Sequence, residues 1–261
     1  MRELTGPNAV SQSTPWLTVA AAIWAVGTLP TLAVGLRGWD PVGRLGRSGI
    51  GARVNARWGW FVLELPALVT FPAIYLASDN QHLVGNVVLG LWLAHYGHRG
   101  LVWCWLVPKG DATVSLAMCA ASIGFNLVNG ALLGWFMGYV ADCPADWLTD
   151  PRFVVGVGLF IAGAALNVWA DYRLRYFRRK STSDRVIPAG GPFNSVCCPN
   201  LTGEIIEWVG FALLTWSLPG LAFALWTIAN LVPRALWRRA WYRDNFDDFP
   251  RERAALVPGI L

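Results

Sequence analysis

Polar residues placed inside otherwise apolar stretches are costly to a fold and point to chemistry by default. Glu64 stands alone in Phe61-Val62-Leu63-Glu64-Leu65-Pro66-Ala67. A carboxyl group in that setting works on a ligand, pairs with a neighbouring helix, or is protonated to hold two helices together. A second apolar run closes on His95-Tyr96-Gly97-His98-Arg99. Its phenol is an interfacial aromatic or a hydrogen-bond donor, and its two histidines share a helix face but lack the carboxylate partner of a metal site. Asn167 and Asp171 are four apart, so a helix projects both from one face, and Arg178 continues that side two turns on. Asn200-Leu201-Thr202-Gly203-Glu204-Ile205-Ile206-Glu207-Trp208 brings an amide and two carboxylates to the edge of another apolar run. Arg234, Arg238 and Trp241 recur at spacings of four and three, with Tyr242 next in line.

Arginine forks bind phosphate, and Asn, Asp and Glu side chains bind hydroxyl and amide groups. The combination suits a phosphorylated, ribose-bearing cofactor. Two plainer readings compete with it: a snorkelling, salt-bridged helix end at Asn167 to Arg178, and a basic helix lying on anionic lipid from Arg234 onward. The chain has no G-x-G-x-x-G after a strand and no P-loop, so helices and loops must hold any nucleotide. Cys104, Cys119, Cys143, Cys197 and Cys198 show no C-x-x-C spacing and no histidine partner, so neither zinc nor a disulfide framework is expected.

The composition says what carries these groups. Only 14% of the 261 residues are charged, against about 25% in an ordinary soluble domain. Fifty-five per cent are hydrophobic before the 27 glycines are counted, with 16 tryptophans and a mean hydropathy of +0.42. A soluble globular domain, a disordered chain and a disulfide-stapled secreted module are excluded. A spanning helix takes about 20 mostly apolar residues. Seven candidate runs occur: about Pro15 to Leu36, Trp58 to Ala77, Leu83 to Val107, Ala112 to Val140, Pro151 to Tyr172, Ile205 to Ser217 and Leu221 to Trp237. The last two form a hairpin joined at Leu218-Pro219-Gly220, and the short sixth is expected to sit deep or to begin within a buried loop. Proline and paired glycine keep Ile187 to Phe193 from being helical. The first run is too long for a signal-peptide core and is kept as a mature helix.

With the N-terminus outside, all of the 21 lysines and arginines except Arg2 and Arg152 fall on one side. Basic residues accumulate on the cytosolic side, so the excess of five positive charges reports topology before it reports nucleic acid. The expected fold is all-α and integral to the membrane: seven transmembrane helices, N-terminus outside, C-terminus cytosolic, one domain over residues 1–261.

In their order these motifs resemble the steroid 5α-reductase family, membrane enzymes that reduce the 4,5 double bond of 3-oxo-4-ene steroids with NADPH. The likeness runs from about Trp60 to Leu261 and is strongest over about 110–261. It is densest at Ile187-Pro188-Ala189-Gly190-Gly191-Pro192-Phe193, at Gly203-Glu204-Ile205-Ile206-Glu207-Trp208-Val209-Gly210-Phe211-Ala212 and at Thr215-Trp216-Ser217-Leu218-Pro219. Tyr242 and the ending Phe249-Pro250-Arg251-Glu252-Arg253-Ala254-Ala255-Leu256-Val257-Pro258 belong to it too. The resemblance implies a seven-helix fold that takes up NADPH from the cytosol. It implies that Glu64 and Tyr96 are catalytic and hold the steroid's 3-oxo group, with Trp60 as a wall of the sterol pocket. Asn167, Asp171, Arg178, Asn200, Glu204, Arg234 and Tyr242 take cofactor-holding positions, Glu204 on the nicotinamide carboxamide.

The reaction so implied moves a hydride from the nicotinamide to C5 of the enone. Tyr96, held by a protonated Glu64, stabilises the charge on the 3-oxo oxygen, and solvent or a relay then protonates C4. The chain departs from the family pattern at Leu63, where some members have Gln, at Arg185, where a Tyr precedes the Ile-Pro-x-Gly-Gly motif, and at Arg238, where the tail has a His. A related membrane sterol double-bond reductase or an isoprenylcysteine-type methyltransferase would share the architecture. A seven-helix transporter or lipid-binding scaffold would line a path with the same polar groups. The expected partners are a steroid and membrane lipids, without nucleic acid or metal, in a monomer of the bacterial inner membrane or endoplasmic reticulum.

Overall fold

A computed structural model describes residues 15–38, 52–106, 113–180 and 186–260. Arg2, Arg44, Arg47, Lys109 and Arg185, which entered the charge map or the family pattern, lie outside the described residues. The long elements are helices: α1 (Pro15–Leu36), α2 (Ala56–Leu76), α3 (Leu83–Gly97), α4 (Leu116–Trp135), α5 (Pro151–Lys180), α6 (Pro199–Thr215) and α7 (Leu218–Asn245). α3 runs on into a π-helical stretch, His98–Trp103, and α4 into another, Phe136–Val140. A two-stranded antiparallel ribbon, β1 (Arg53–Asn55) and β2 (Thr113–Ser115), ties the starts of α2 and α4 together with Val54 opposite Val114.

α1, α2, α5 and α4 with its π-helical extension are long and apolar enough to cross a membrane. Their outer faces expose Ile23, Val69, Val155 and Ile161, as contact with lipid requires. The chain is a multi-pass membrane protein.

Four boundaries differ from those expected, each for a physical reason. α6 begins at Pro199, six residues before Ile205, with proline in the first turn where its fixed φ suits a helix. Asn200 is buried against α5 rather than lost to solvent, so the segment is helix and not a buried loop. Leu218-Pro219-Gly220 is the first turn of α7, not a joint: the bend lies at Trp216, with φ 41°, and at Ser217, whose hydroxyl caps the Gly220 N–H at 3.0 Å. α5 and α7 continue to Lys180 and Asn245, past Tyr172 and Trp237, because a basic helix can leave the apolar layer without uncoiling. In the segment Ile187 to Phe193, Gly190 and Gly191 take φ of 88° and 55° and open a single 3₁₀ turn, Gly191–Asn194.

Small residues set the distances between helices. A Cβ added at Gly203 of α6 would lie 2.5 Å from the Asn167 amide nitrogen of α5, and one at Gly210 would lie 2.6 Å from the Gly156 carbonyl oxygen. Gly156 and Gly163 on α5 are equally hemmed in by the α6 backbone. In lipid there is little hydrophobic drive between helices, and close backbone approach at glycine takes its place. α2 meets α4 in the same way, Gly130 and Gly134 against Thr70, Phe71 and Ile74.

Pro66 and Pro72 interrupt the hydrogen-bond ladder of α2, and side chains of its neighbours brace it there. Asn126 Nδ2 of α4 donates to Leu63 O at 2.7 Å, and Trp92 Nε1 of α3 donates to Ala67 O at 2.8 Å. At the other end the tail laces the α5–α6 connection, with the N–H groups of Cys197 and Cys198 bonded to Ala254 O and Ala255 O and Arg253 Nη1 to Pro188 O at 2.9 Å. All five cysteines are free and buried.

Gly163→Val should push α5 off α6 and destabilise the protein by about 3 kcal/mol. Gly90→Ala, whose added Cβ meets nothing within 4 Å, should be silent in the same thermal unfolding measurement.

Candidate functional site

The close contact of α5 with α6 gathers four of the expected cofactor residues into one row. Asn167 Nδ2 donates to Asn200 O at 2.9 Å and to Glu204 Oε2 at 3.2 Å. Asn200 Nδ2 donates to Asp171 Oδ1 at 2.9 Å. The second oxygen of Asp171 accepts from Arg99 Nη1 at 3.1 Å, and Arg99 Nε lies 4.0 Å from Glu64 Oε1. A polar path therefore runs from Glu204 to Glu64 across four helical segments. The π-helical turn that begins at His98 re-aims the chain at Arg99, as such turns do at functional sites. Gly100 lets it lie against α2, where an added Cβ would sit 3.2 Å from that of Glu64. The Arg99 guanidinium also lies 5.6 Å from the centre of the Trp60 ring.

Beside this row is a cavity of about 830 Å³. Trp60, Glu64, Tyr96, Glu204 and Arg234 line it, and Leu63, Met118, Phe125 and Phe223 give it apolar walls. The Tyr96 ring is fixed against Trp92 and Trp208, with ring centres 4.5 and 5.9 Å away. Leu63, where the resemblance leads one to expect Gln in some members, belongs to the apolar wall, and Asn126 supplies a lining amide at that level.

Other expected residues stand apart from the cavity wall. Tyr242 is 6% exposed and stacks on Phe249 with ring centres 5.4 Å apart, in a cluster that includes Cys198, Leu231 and Leu256. Arg238 and Arg178 are its charged neighbours. The histidines diverge: His95 Nδ1 is 2.7 Å from Glu207 Oε1 on α6, whereas the His98 ring lies near Trp103 and Tyr172. Among the described residues no three His, Cys, Asp or Glu side chains gather as a metal site.

The row has one unused acceptor. Asn200 Oδ1 is buried without a partner, an acceptor that a ligand N–H or hydroxyl would satisfy. Carboxylates and amides suit ribose and carboxamide groups, and the half-buried Arg178 and Arg234 suit phosphates.

A family model for 3-oxo-5-alpha-steroid 4-dehydrogenase matches residues 112–261. The 3-oxo-5-alpha-steroid 4-dehydrogenase 2 of Sus scrofa is 42% identical over 212 residues, covering 80% of this chain and 82% of that protein. The chain belongs to this family of oxidoreductases. The Homo sapiens type 2 protein is 41% identical with the same coverage of 80% and 82%. The Macaca fascicularis type 1 protein is 38% identical over 213 residues, 80% of each chain. For this steroid dehydrogenase family member the matched region holds the whole row from Asn167 to Glu204, together with Arg178, Arg234 and Tyr242.

Sequence reasoning passed over Asn126, weighed His95 only as half of a metal pair and took Glu207 only as a motif carboxylate. Arg99 counted only as a charge at the cytosolic edge. For Glu207 the available signal was spacing: it lies three residues from Glu204, so the two carboxylates share a helix face.

Arg99→Met leaves Asp171 buried without its cation. Breaking one side of such a buried pair costs about 3–5 kcal/mol. A large fall in melting temperature is therefore expected in detergent, and Arg99→Lys should recover part of it.

Proposed function

We propose that the protein reduces the 4,5 double bond of 3-oxo-4-ene steroids with NADPH, giving 5α-3-oxo products. One observation carries the proposal: Glu64, Tyr96 and Glu204 share the wall of an apolar cavity where the row through Asn167, Asn200 and Asp171 ends. About 830 Å³ is ample for a four-ring sterol, and the relatives' printed names supply the substrate class.

Asn167, Asn200, Asp171 and Glu204 hold the ribose and carboxamide groups of the cofactor, while Arg178 and Arg234 hold its phosphates with Tyr242 beside them. When bound, NADPH supplies the hydride that C5 of the enone accepts. Negative charge then develops on the 3-oxo oxygen, and the Tyr96 hydroxyl donates a hydrogen bond to it. A protonated Glu64 holds that phenol, and Arg99 adds positive charge on the same side while tying Glu64 to the cofactor row. Trp60, Leu63, Met118 and Phe125 exclude water around the sterol body, which strengthens every electrostatic contact within.

In this reading the single domain, residues 1–261, crosses a bacterial inner membrane or the endoplasmic reticulum seven times as a monomer. Its N-terminus is outside and its C-terminus and cofactor mouth are cytosolic, in line with the distribution of lysine and arginine.

Purified protein with NADPH and androst-4-ene-3,17-dione should lose enone absorbance and yield a product two hydrogens heavier. No such gain with any 4-ene-3-one steroid contradicts the proposal. Glu64→Gln and Tyr96→Phe should each lower kcat about a hundredfold and leave NADPH binding nearly intact. Arg234→Ala should do the reverse, weakening NADPH about tenfold with little effect on steroid KM.

A further inference from the structure

We infer that His95, backed by Glu207, is the acid that delivers the second hydrogen of the reduction to C4. The inference rests on the steroid-reductase reading, which accounts for the hydride and for the charge on the 3-oxo oxygen but leaves the proton at C4 to solvent or an unnamed relay.

The pair is buried and in direct contact. His95 Nδ1 and Glu207 Oε1 are 2.7 Å apart, with side chains 7% and 1% exposed. The His95 ring lines the cavity next to Tyr96, ring centres 4.9 Å apart, and packs edge-on against Trp208 at 4.6 Å. Nδ1 is taken up by Glu207, so Nε2 is the ring's remaining polar atom. Glu204 on the same helix as Glu207, Glu64 on α2 and Arg99 one turn beyond His95 are the other charges near the ring.

Packing alone does not account for the pair. Glu207 Oε2 is buried and has no partner, and an unpaired buried carboxylate oxygen is destabilising. Two apolar side chains of the same volume would join α3 to α6 at least as firmly. A histidine oriented by a buried carboxylate and open to a reaction cavity is the arrangement by which enzymes hold and transfer a proton.

The step balances. Addition of hydride at C5 moves the C4–C5 π electrons into an enolate, with a C3–C4 double bond and charge on the 3-oxo oxygen. The Nε2–H bond of the His95 imidazolium breaks, its proton bonds to C4 with the enolate electron pair, and the C3 carbonyl re-forms. His95 is left neutral beside Glu207 and takes a proton from solvent before the next turnover.

The test uses the full chain in detergent with NADPH and androst-4-ene-3,17-dione. Wild-type protein that adds no hydrogen sinks the reductase reading and this inference with it. If wild type turns over, His95→Ala should lose about a hundredfold or more in kcat, keep KM and the NADPH Kd within about threefold, and regain about tenfold with added imidazole. Unchanged kcat, or a loss that imidazole does not relieve in protein that still binds NADPH, overturns the inference and leaves the reductase reading standing. If His95→Ala binds no NADPH, Glu207→Gln decides instead. A fall of about tenfold or more in kcat at unchanged KM supports the pair as the proton source. An unchanged kcat, or a loss confined to KM or to NADPH binding, overturns it.

Discussion

No side chain fits between α5 and α6 where Gly163 faces Gly203 and Gly156 faces Gly210. The site depends on that contact. At ordinary helix separation the Asn167 amide would not reach both Asn200 O and Glu204 Oε2, and Asp171 would not meet Asn200. Two helices in lipid gain little from apolar contact, so glycine packing and the amide–carboxylate row must supply the adhesion together. The same residues that hold the helices together are therefore the ones proposed to hold the cofactor.

Arg99 extends the row to Glu64 at the cavity wall. Four carboxyl groups, Glu64, Asp171, Glu204 and Glu207, lie within or beside the cavity, and one guanidinium touches two of them while His95 takes a third. Such a concentration of acid would be unstable in an apolar interior without internal cations. Charge balance thus couples Glu64 at the cavity wall to Asp171 in the α5–α6 row, the two groups proposed to serve steroid and cofactor. The braces on α2, from Asn126 to Leu63 O and from Trp92 to Ala67 O, keep Glu64 from drifting where proline has weakened the helix.

Much of the architecture was legible in the sequence because apolar runs in a membrane protein leave few alternatives. Glu64, Tyr96 and the pair Asn167 and Asp171 stood out as polar residues in such runs. The early start of α6 was not legible, since Asn200 and Glu204 look like loop residues until a partner helix buries them. Arg99 was hidden because an arginine at the membrane edge reads as a topological charge, and its inward turn depends on a π-helical register that no periodicity reveals. Glu207 was visible only as part of a motif, since its partner lies 112 residues away in the chain. Tyr242 was legible as a family position, but its burial against Phe249 depends on how the tail folds back.

A structure of the ternary complex with NADP+ and androst-4-ene-3,17-dione tests the central claim most directly. The 3-oxo oxygen should lie within hydrogen-bond distance of the Tyr96 hydroxyl, with the nicotinamide at Glu204 and the ribose along Asn167, Asn200 and Asp171. A steroid with its 3-oxo group at the opposite end of the cavity, or a cofactor bound away from the α5–α6 row, would contradict it.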